Sequence, residues 1–217
     1  MNDEQAISLK EPRERILEAG AELFGTKGYS AVGVREIAEK ANVNVSMISY
    51  YYSGKFGILQ EIIRRYFDNV REIFLRVSAE NLPPDETIRK LVHEFVALMR
   101  DKTIFCKVAI TEMPFNLPEF ADFKAEVIKM HIAYLYQTLE ITKHWLIPPK
   151  YNPIVGPATI SLIFSHFLFG PFIKRVWNIE LNDEFYSLYS KTISTMLLEG
   201  LEGLKKMIDQ EDEENLK

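Results

Sequence analysis

The spacing of apolar residues constrains this chain most. From Pro12, a residue suited to a first helical turn, Ile16, Ala19, Gly20, Leu23 and Phe24 recur at i, i+3, i+4, i+7 and i+8, one stripe along an amphipathic helix. Segments of the same period follow along the chain, with no convincing alternating strand pattern and no internal repeat. The chain is therefore expected to be all-α. Its 217 residues, 47% of them apolar, are enough to bury a substantial core in one domain or two small ones.

Turn residues divide the helices. TKGYSAVG breaks the first, with Gly28 a natural residue after a helix C-terminus. The short helix VREIAEKA follows, with Val34, Ile37, Ala38 and Ala41 inward. Asn42 stands at a sharp turn and tolerates positive φ, and Asn44 can cap a further short helix, roughly Val45 to Tyr51, closed by Ser53 and Gly54. A long helix is expected from Lys55 to about Asn81, with Leu59, Ile62, Ile63, Tyr66, Val70 and Phe74 on its apolar side. Pro83 is read as a domain boundary. On that reading residues 10–65 form a small three-helix domain, linked by the long helix to about 82, and residues 83–217 form a larger helical one. Further helices are expected over Asp85 to Arg100, Thr103 to Met113, Pro118 to Lys143, Pro157 to Trp177 and Asp183 to Ile208, followed by the frayed charged tail DQEDEENLK. In the third, Phe120, Phe123, Val127, Met130, Tyr134 and Leu135 form a stripe.

A net charge of −5 argues against nucleic acid as a partner only if it is spread evenly. Between Lys10 and Arg65 nine Lys and Arg face seven Asp and Glu, so the acid excess lies elsewhere. The single cysteine, Cys106, excludes an intramolecular disulfide and a cysteine-cluster zinc site. The charged start, MNDEQAISLKEPRERI, has no secretory pattern, and a cytoplasmic setting is the simplest expectation. His93, His131, His144 and His166 show no metal spacing. No glycine-rich phosphate loop or nucleophile-and-base set emerges, so neither an enzyme nor a cofactor is expected.

Two short helices joined by a tight turn and supported by a preceding helix make a helix-turn-helix unit, which suits the major groove of duplex DNA. The stretch RERILEAGAELFGTKGYSAVGVREIAEKANVNVSMISYYYSGKFGIL carries that pattern in particular residues. Over residues 12–62 it resembles the DNA-binding domain of the TetR family of transcriptional repressors, through Gly28 and Tyr29, Ile37 and Ala38, and the aromatic run followed by Lys55. The resemblance implies a homodimer of all-helical subunits, each with an N-terminal helix-turn-helix domain and a C-terminal bundle that binds a small effector and dimerises.

Carried over by position, Val45, Ser46 and Met47 occupy the base-reading start of the recognition helix. Asn44 precedes them, Arg35 matches a position that reaches base or phosphate, and Ser49, Tyr50 and Tyr51 fall where relatives contact the DNA backbone. Lys55 falls where a lysine pairs with phosphate, and Tyr52 where an aromatic residue packs inward. Val32 and Gly33 replace the family's common hydroxyl residues, leaving Gly33 to offer only backbone, and Asn42 replaces a common glycine. Val-Ser-Met lacks the Arg, Gln or Asn of bidentate base contacts, so part of the specificity is expected from DNA shape.

In the C-terminal part, Phe95, Met99, Phe105, Phe115, Phe120, Phe123, Tyr134, Trp145, His166 and Trp177 are candidates for a pocket taking a small hydrophobic or aromatic effector, although each could equally fill the core. From Ile154 to Ile173 runs an uncharged stretch of membrane-span length. It reads as a membrane span, an interface helix or a pocket wall. Pro157 and the Gly170-Pro171 pair argue against an uninterrupted span. The family's four-helix dimer interface would take up Phe164, Phe167, Leu168, Phe172, Leu188, Tyr189, Ile193, Met196 and Leu197, with Gly200 and Gly203 permitting close approach. The expected function is a repressor released from a palindromic operator by its effector. A helical ligand-binding bundle without DNA function and a membrane-tethered regulator are the alternatives.

Overall fold

The computed structural model describes residues 11–114, 117–142 and 148–215. Among the described residues there are nine α-helices and no strand: α1 (Pro12–Lys27), α2 (Val34–Lys40), α3 (Ser46–Tyr52), α4 (Lys55–Ala79), α5 (Pro84–Asp101), α6 (Thr103–Thr111), α7 (Pro118–Thr142), α8 (Asn152–Trp177) and α9 (Asp183–Asn215). Short 3-10 turns occupy Tyr29–Ala31 and Pro149–Tyr151.

Contacts group these helices into two units that are interleaved in sequence. The first runs to Asn69 and resumes over Lys102–His131, taking in α1 to α3, the start of α4, α6 and the start of α7. The second takes Val70–Asp101 and the chain from Ile132 onward. Contact thus draws a different line from the division by sequence at Pro83.

In the first unit Ile16, Leu17 and Phe24 of α1, Ile37 of α2, Ile48 of α3, and Ile58, Leu59, Ile62 and Ile63 of α4 form one buried cluster. Val108 and Ala109 of α6 and Phe120 and Val127 of α7 complete it. Each large side chain so enclosed contributes about 1.5–3 kcal/mol, which is why helices as short as α2 and α3 persist. Gly20 permits a close approach of α1 to α4, since a Cβ there would lie 2.6 Å from Ile58 Cγ2. The second unit buries Val70, Ile73, Phe74 and Val77 of α4 with Leu91, Val92, Val96 and Met99 of α5, Ile163 and Phe164 of α8, and Ile193 and Leu198 of α9. There α5 packs along α9, and α8 touches both.

Several expected details are corrected. Val34 is exposed, whereas Val32, two residues earlier in the chain, is buried in the core. Met130 also faces out, whereas Phe120 and Val127 of the same stripe are buried. The eighth helix begins at Asn152, not Pro157: Pro153 takes the first turn, and Pro157 removes only the one N–H that would have reached back to Pro153. The ninth continues to Asn215, since LKKMIDQEDEEN contains no Gly or Pro and is rich in helix formers.

Candidate nucleic-acid interface

The reading unit is built from its turns. Gly28, at φ 81°, ends α1 by donating its N–H to the Phe24 carbonyl at 2.9 Å. The chain then passes through Tyr29, whose ring packs on Phe24 with centroids 5.2 Å apart. Both backbone groups of Tyr29 are held by distant side chains. Its N–H donates to Glu112 Oε2 at 2.7 Å, and its carbonyl accepts from Lys55 Nζ at 2.9 Å. Lys55 also donates to the Val32 carbonyl at 2.9 Å and lies 4.2 Å from the centre of the Tyr29 ring. Burial lowers its pKa below the ordinary lysine value.

This placement of Lys55 differs from a free phosphate partner. Two of its three N–H donors serve the turn that leads into α2. The lysine positions the helix-turn-helix from within, leaving one donor for any outside group.

Between α2 and α3 the turn forms as anticipated. Asn42 adopts φ 50°, and Val43 N–H returns to the Ala38 carbonyl at 3.0 Å. Asn44 Oδ1 accepts the Ser46 N–H at 2.9 Å and the Ser46 hydroxyl at 2.8 Å, so it caps α3 from one residue before the first-turn position Val45. The Ser46 proton is thereby committed, and its oxygen faces outward as an acceptor. Ser53 (φ 58°) and Gly54 (φ 110°) close α3.

The three tyrosines separate by burial. Tyr52 is 7% exposed, and its hydroxyl donates to the Arg13 carbonyl of α1 at 2.8 Å. Burial pushes that phenol up to about 12, against the opposing pull of Arg13. Tyr50 is 82% exposed. Tyr51 is half-buried against the core and meets Tyr50 edge-on, with centroids 4.9 Å apart. Tyr50 is thus the freer of the two proposed backbone contacts.

Gly33, Arg35, Asn44, Val45, Ser46, Ser49 and Tyr50 are all exposed, while Met47 is half-buried against the core. Neighbouring cations are engaged: Lys27 with Glu36, Lys40 with Glu22 at 2.6 Å, and Arg65 with Glu14 at 2.7 Å. Arg35 has no ion pair or hydrogen bond among the described residues, so its guanidinium is available to a phosphate or a guanine edge. The Ser49 and Tyr50 hydroxyls suit phosphate oxygens, and Val45 suits a thymine methyl.

Two residues of this unit escaped sequence reasoning. Glu112 lies 83 positions from the amide it holds, and nothing local announces it. Gly57, in the first turn of α4, had a signal, since glycine in a helix is costly unless backbone approaches closely. A Cβ on Gly57 would fall 1.6 Å from the Tyr52 carbonyl oxygen.

The predicted pocket residues divide between the two units. Phe105, Phe120 and Phe123 belong to the first unit's core, where Arg64 lies over the Phe123 ring at 4.9 Å. Phe95, Met99, Tyr134 and His166 belong to the second unit, Trp177 is exposed, and Phe115 and Trp145 lie outside the described residues. Aromatic identity alone carried no information about which core a residue fills. His166 is 5% exposed among the rings of Phe167, Phe185, Tyr186 and Tyr189, its Nε2 has no hydrogen-bond partner among the described residues, and burial lowers its pKa. An open groove of about 570 Å³ between α5 and α9 is lined by Asp85, Arg89, Thr195, Glu199, Glu202 and Lys206, a charged rather than aromatic wall.

The predicted interface set also divides. Phe164 and Ile193 are buried in their own unit, so they are core, because they lie on the inward phase of α8 and α9. Phe167, Tyr189 and Leu197 are half-buried, the Tyr189 hydroxyl donating toward the Leu162 and Ile163 carbonyls at 3.2 and 3.0 Å. Leu168, Phe172, Leu188, Met196 and Gly200 are exposed. By length and composition α8 could cross a membrane, and only 22% of its most apolar window is buried.

A helix-turn-helix pair whose second helix faces solvent, carried on an all-helical chain, defines a DNA-binding regulator. Residues 16–62 match the model of the bacterial regulatory proteins of the tetR family. The chain is 35% identical over 189 residues to the "Probable HTH-type transcriptional regulator YttP" of Bacillus subtilis (strain 168), covering 83% of this chain and 89% of that protein. It belongs to the TetR family of transcriptional regulators. The HTH-type transcriptional regulator RutR of Escherichia coli (strain K12) is 23% identical over 207 residues, 91% of this chain and 92% of that one. The solved fatty acid degradation regulator FadR of Bacillus halodurans shares the fold, with TM-score 0.72 and 17% identity over 88% of this chain and 97% of its own. These relatives are regulators, not enzymes.

Proposed function

We propose that this TetR-family protein is a cytoplasmic, ligand-responsive repressor that binds a palindromic operator as a homodimer. The observation that carries the DNA reading is the exposed strip of α3, Val45, Ser46, Ser49 and Tyr50, flanked by the unpaired Arg35. Ser49, Tyr50 and Arg35 would hold phosphate and base edges, and the Ser46 oxygen would accept from a base amino group. With no bidentate reader on α3, DNA shape supplies part of the specificity. Lys55, and Tyr51 through its exposed edge, support the same surface from beneath.

The exposed apolar side chains of α8 and α9, Leu168, Phe172, Leu188 and Met196, support a second copy as partner, since soluble monomers rarely leave such a face open. A dimer places two recognition helices about one DNA turn apart and requires a rough palindrome. A small hydrophobic effector, bound in the second unit, favours a conformation with unsuitable spacing and releases DNA. FadR, which shares the fold, is described as a regulator of fatty acid degradation, so long-chain acyl compounds head the effector panel.

The test titrates purified protein against a palindrome from its own promoter region and a mixed-sequence duplex at several salt concentrations. Tighter binding to the palindrome with a steep salt slope is expected. Absence of binding at low salt would sink the proposal. The length and apolarity of α8 favour membrane tethering as the second reading, and recovery of the protein only in detergent would select it.

A further inference from the structure

We propose that Glu112, at the end of α6, is a positioning residue for DNA reading. The inference rests on the DNA-binding reading of the first unit and adds a residue from outside the α2–α3 pair.

The turn Tyr29–Ala31 is the entry to α2, and its position sets the phase of the helix-turn-helix. Two side chains from outside the α2–α3 pair fix it. Glu112 Oε2 accepts the Tyr29 N–H at 2.7 Å, while Lys55 Nζ grips the carbonyls of Tyr29 and Val32 at 2.9 Å each. Tyr29 is therefore clamped by an acid on its amide and a base on its carbonyl. Neither is local, at 83 and 26 positions away.

Lys124 of α7 feels the charge of Glu112, whose attraction partly restores a lysine pKa that burial lowers. The Lys124 ammonium also reaches the Ile110 carbonyl at 3.5 Å and stands 5.4 Å from the centre of the Phe120 ring, a core residue. A second tie from α6, Lys107 Nζ to the Gly25 carbonyl at 2.8 Å, fixes the end of α1 just before the turn. The α6–α7 corner thus grips the chain on the approach to α2 and within the turn itself. Lys55 secures the same turn from α4. Any displacement of that corner is passed to α2 as a change in hydrogen bonding at Tyr29.

Glu112 touches no DNA-facing group, so its loss has a distinctive signature. Full-length wild type, Glu112→Ala and Glu112→Gln are compared by hydrogen exchange at the Tyr29 amide and by titration against the promoter palindrome and the mixed-sequence duplex. Glu112→Ala should speed exchange at Tyr29 by about tenfold or more while leaving the middle of α1 protected. It should lose about tenfold in affinity for the palindrome, the weight of one charge-assisted hydrogen bond, with the mixed-sequence affinity and salt slope unchanged. Glu112→Gln keeps a carbonyl acceptor and should recover most of both effects, which a pure charge effect would not allow.

Wild-type exchange at Tyr29 in Glu112→Ala would overturn the clamp, as would an equal loss on both duplexes or equal behaviour of the Ala and Gln variants. If wild type itself shows no preference for the palindrome, the proposed operator fails, and the exchange measurement still decides the clamp.

Discussion

Gly57→Ala is the smallest change that should disturb the reading helix without touching its surface. The new Cβ would stand 1.6 Å from the Tyr52 carbonyl oxygen and 2.7 Å from its carbonyl carbon. Such contacts essentially never fall below 3.0 Å, so the oxygen must retreat by about 1.4 Å. The obstacle is backbone, and no rotamer relieves it. Tyr52 ends α3 and anchors it to α1 through the hydroxyl bond to Arg13, so the retreat breaks that bond or swings the helix. In isolation the substitution would favour the helix by about 1 kcal/mol. Overpacking costs about 1–3 kcal/mol and the lost hydrogen bond about 1 more. The net is about 2 kcal/mol of destabilisation, or a fall of about 4–8 °C in Tm for a chain of this size. Far-UV circular dichroism measures it, with Gly33→Ala as the control. A Cβ on Gly33 meets nothing within 4 Å and its φ is −100°, so the control should stay within about 0.5 kcal/mol of wild type. Palindrome affinity should fall by about tenfold or more in Gly57→Ala, the weight of at least one good contact. Wild-type melting together with wild-type binding would refute the claim that close approach of α3 demands this glycine.

Tyr50→Phe should weaken binding to palindromic and mixed-sequence duplexes alike and leave Tm unchanged, whereas Tyr52→Phe should cost about 1 kcal/mol of stability. The Tyr52 phenol moves from 10.0 to about 12 on folding, so between those pH values the native chain holds the proton that the unfolded chain has released. Its contribution is therefore complete below pH 10 and lost as pH rises toward about 12; urea titrations across that range should show a shallower decline in Tyr52→Phe. The Cys106 thiol, buried and pushed by desolvation up to about 12, should react with a disulfide reagent near neutral pH only at the rate of unfolding, and rapid modification of native protein would contradict its burial. Leu188, 63% exposed, should tolerate Glu in the folded subunit, and sedimentation should show Leu188→Glu shifted toward monomer while its melting as a subunit persists.

Helical period and turn chemistry were readable because both are local. Gly28, Asn42, Ser53 and Gly54 adopt the backbone their residue types permit, and Tyr50 and Tyr52 part company because successive helical positions point about 100° apart. What local pattern could not supply was the occupant of each face. Lys55 reads as a phosphate ligand by position, and nothing local announced that Tyr29 and Val32 offer it carbonyls from another turn. Phe164 and Ile193 share helices with Leu168 and Leu188, and the stripe alone did not tell inward from outward phase. The pocket set illustrates the same point: Phe105 and Phe120 carry the same apolar signal as Phe95, yet they pack in the other unit.

The interleaving of the two units bears on how such a chain can diversify. The first unit draws Val108, Ala109, Phe120 and Val127 from segments that follow Val70–Asp101 of the second. Recombination at a single point near residue 82 would therefore transplant a foreign α6 and α7 beneath the resident α1 and α4. Exchange of recognition modules between relatives is constrained to partners whose α6 and α7 already fit, which ties the inheritance of a DNA preference to residues that never face DNA.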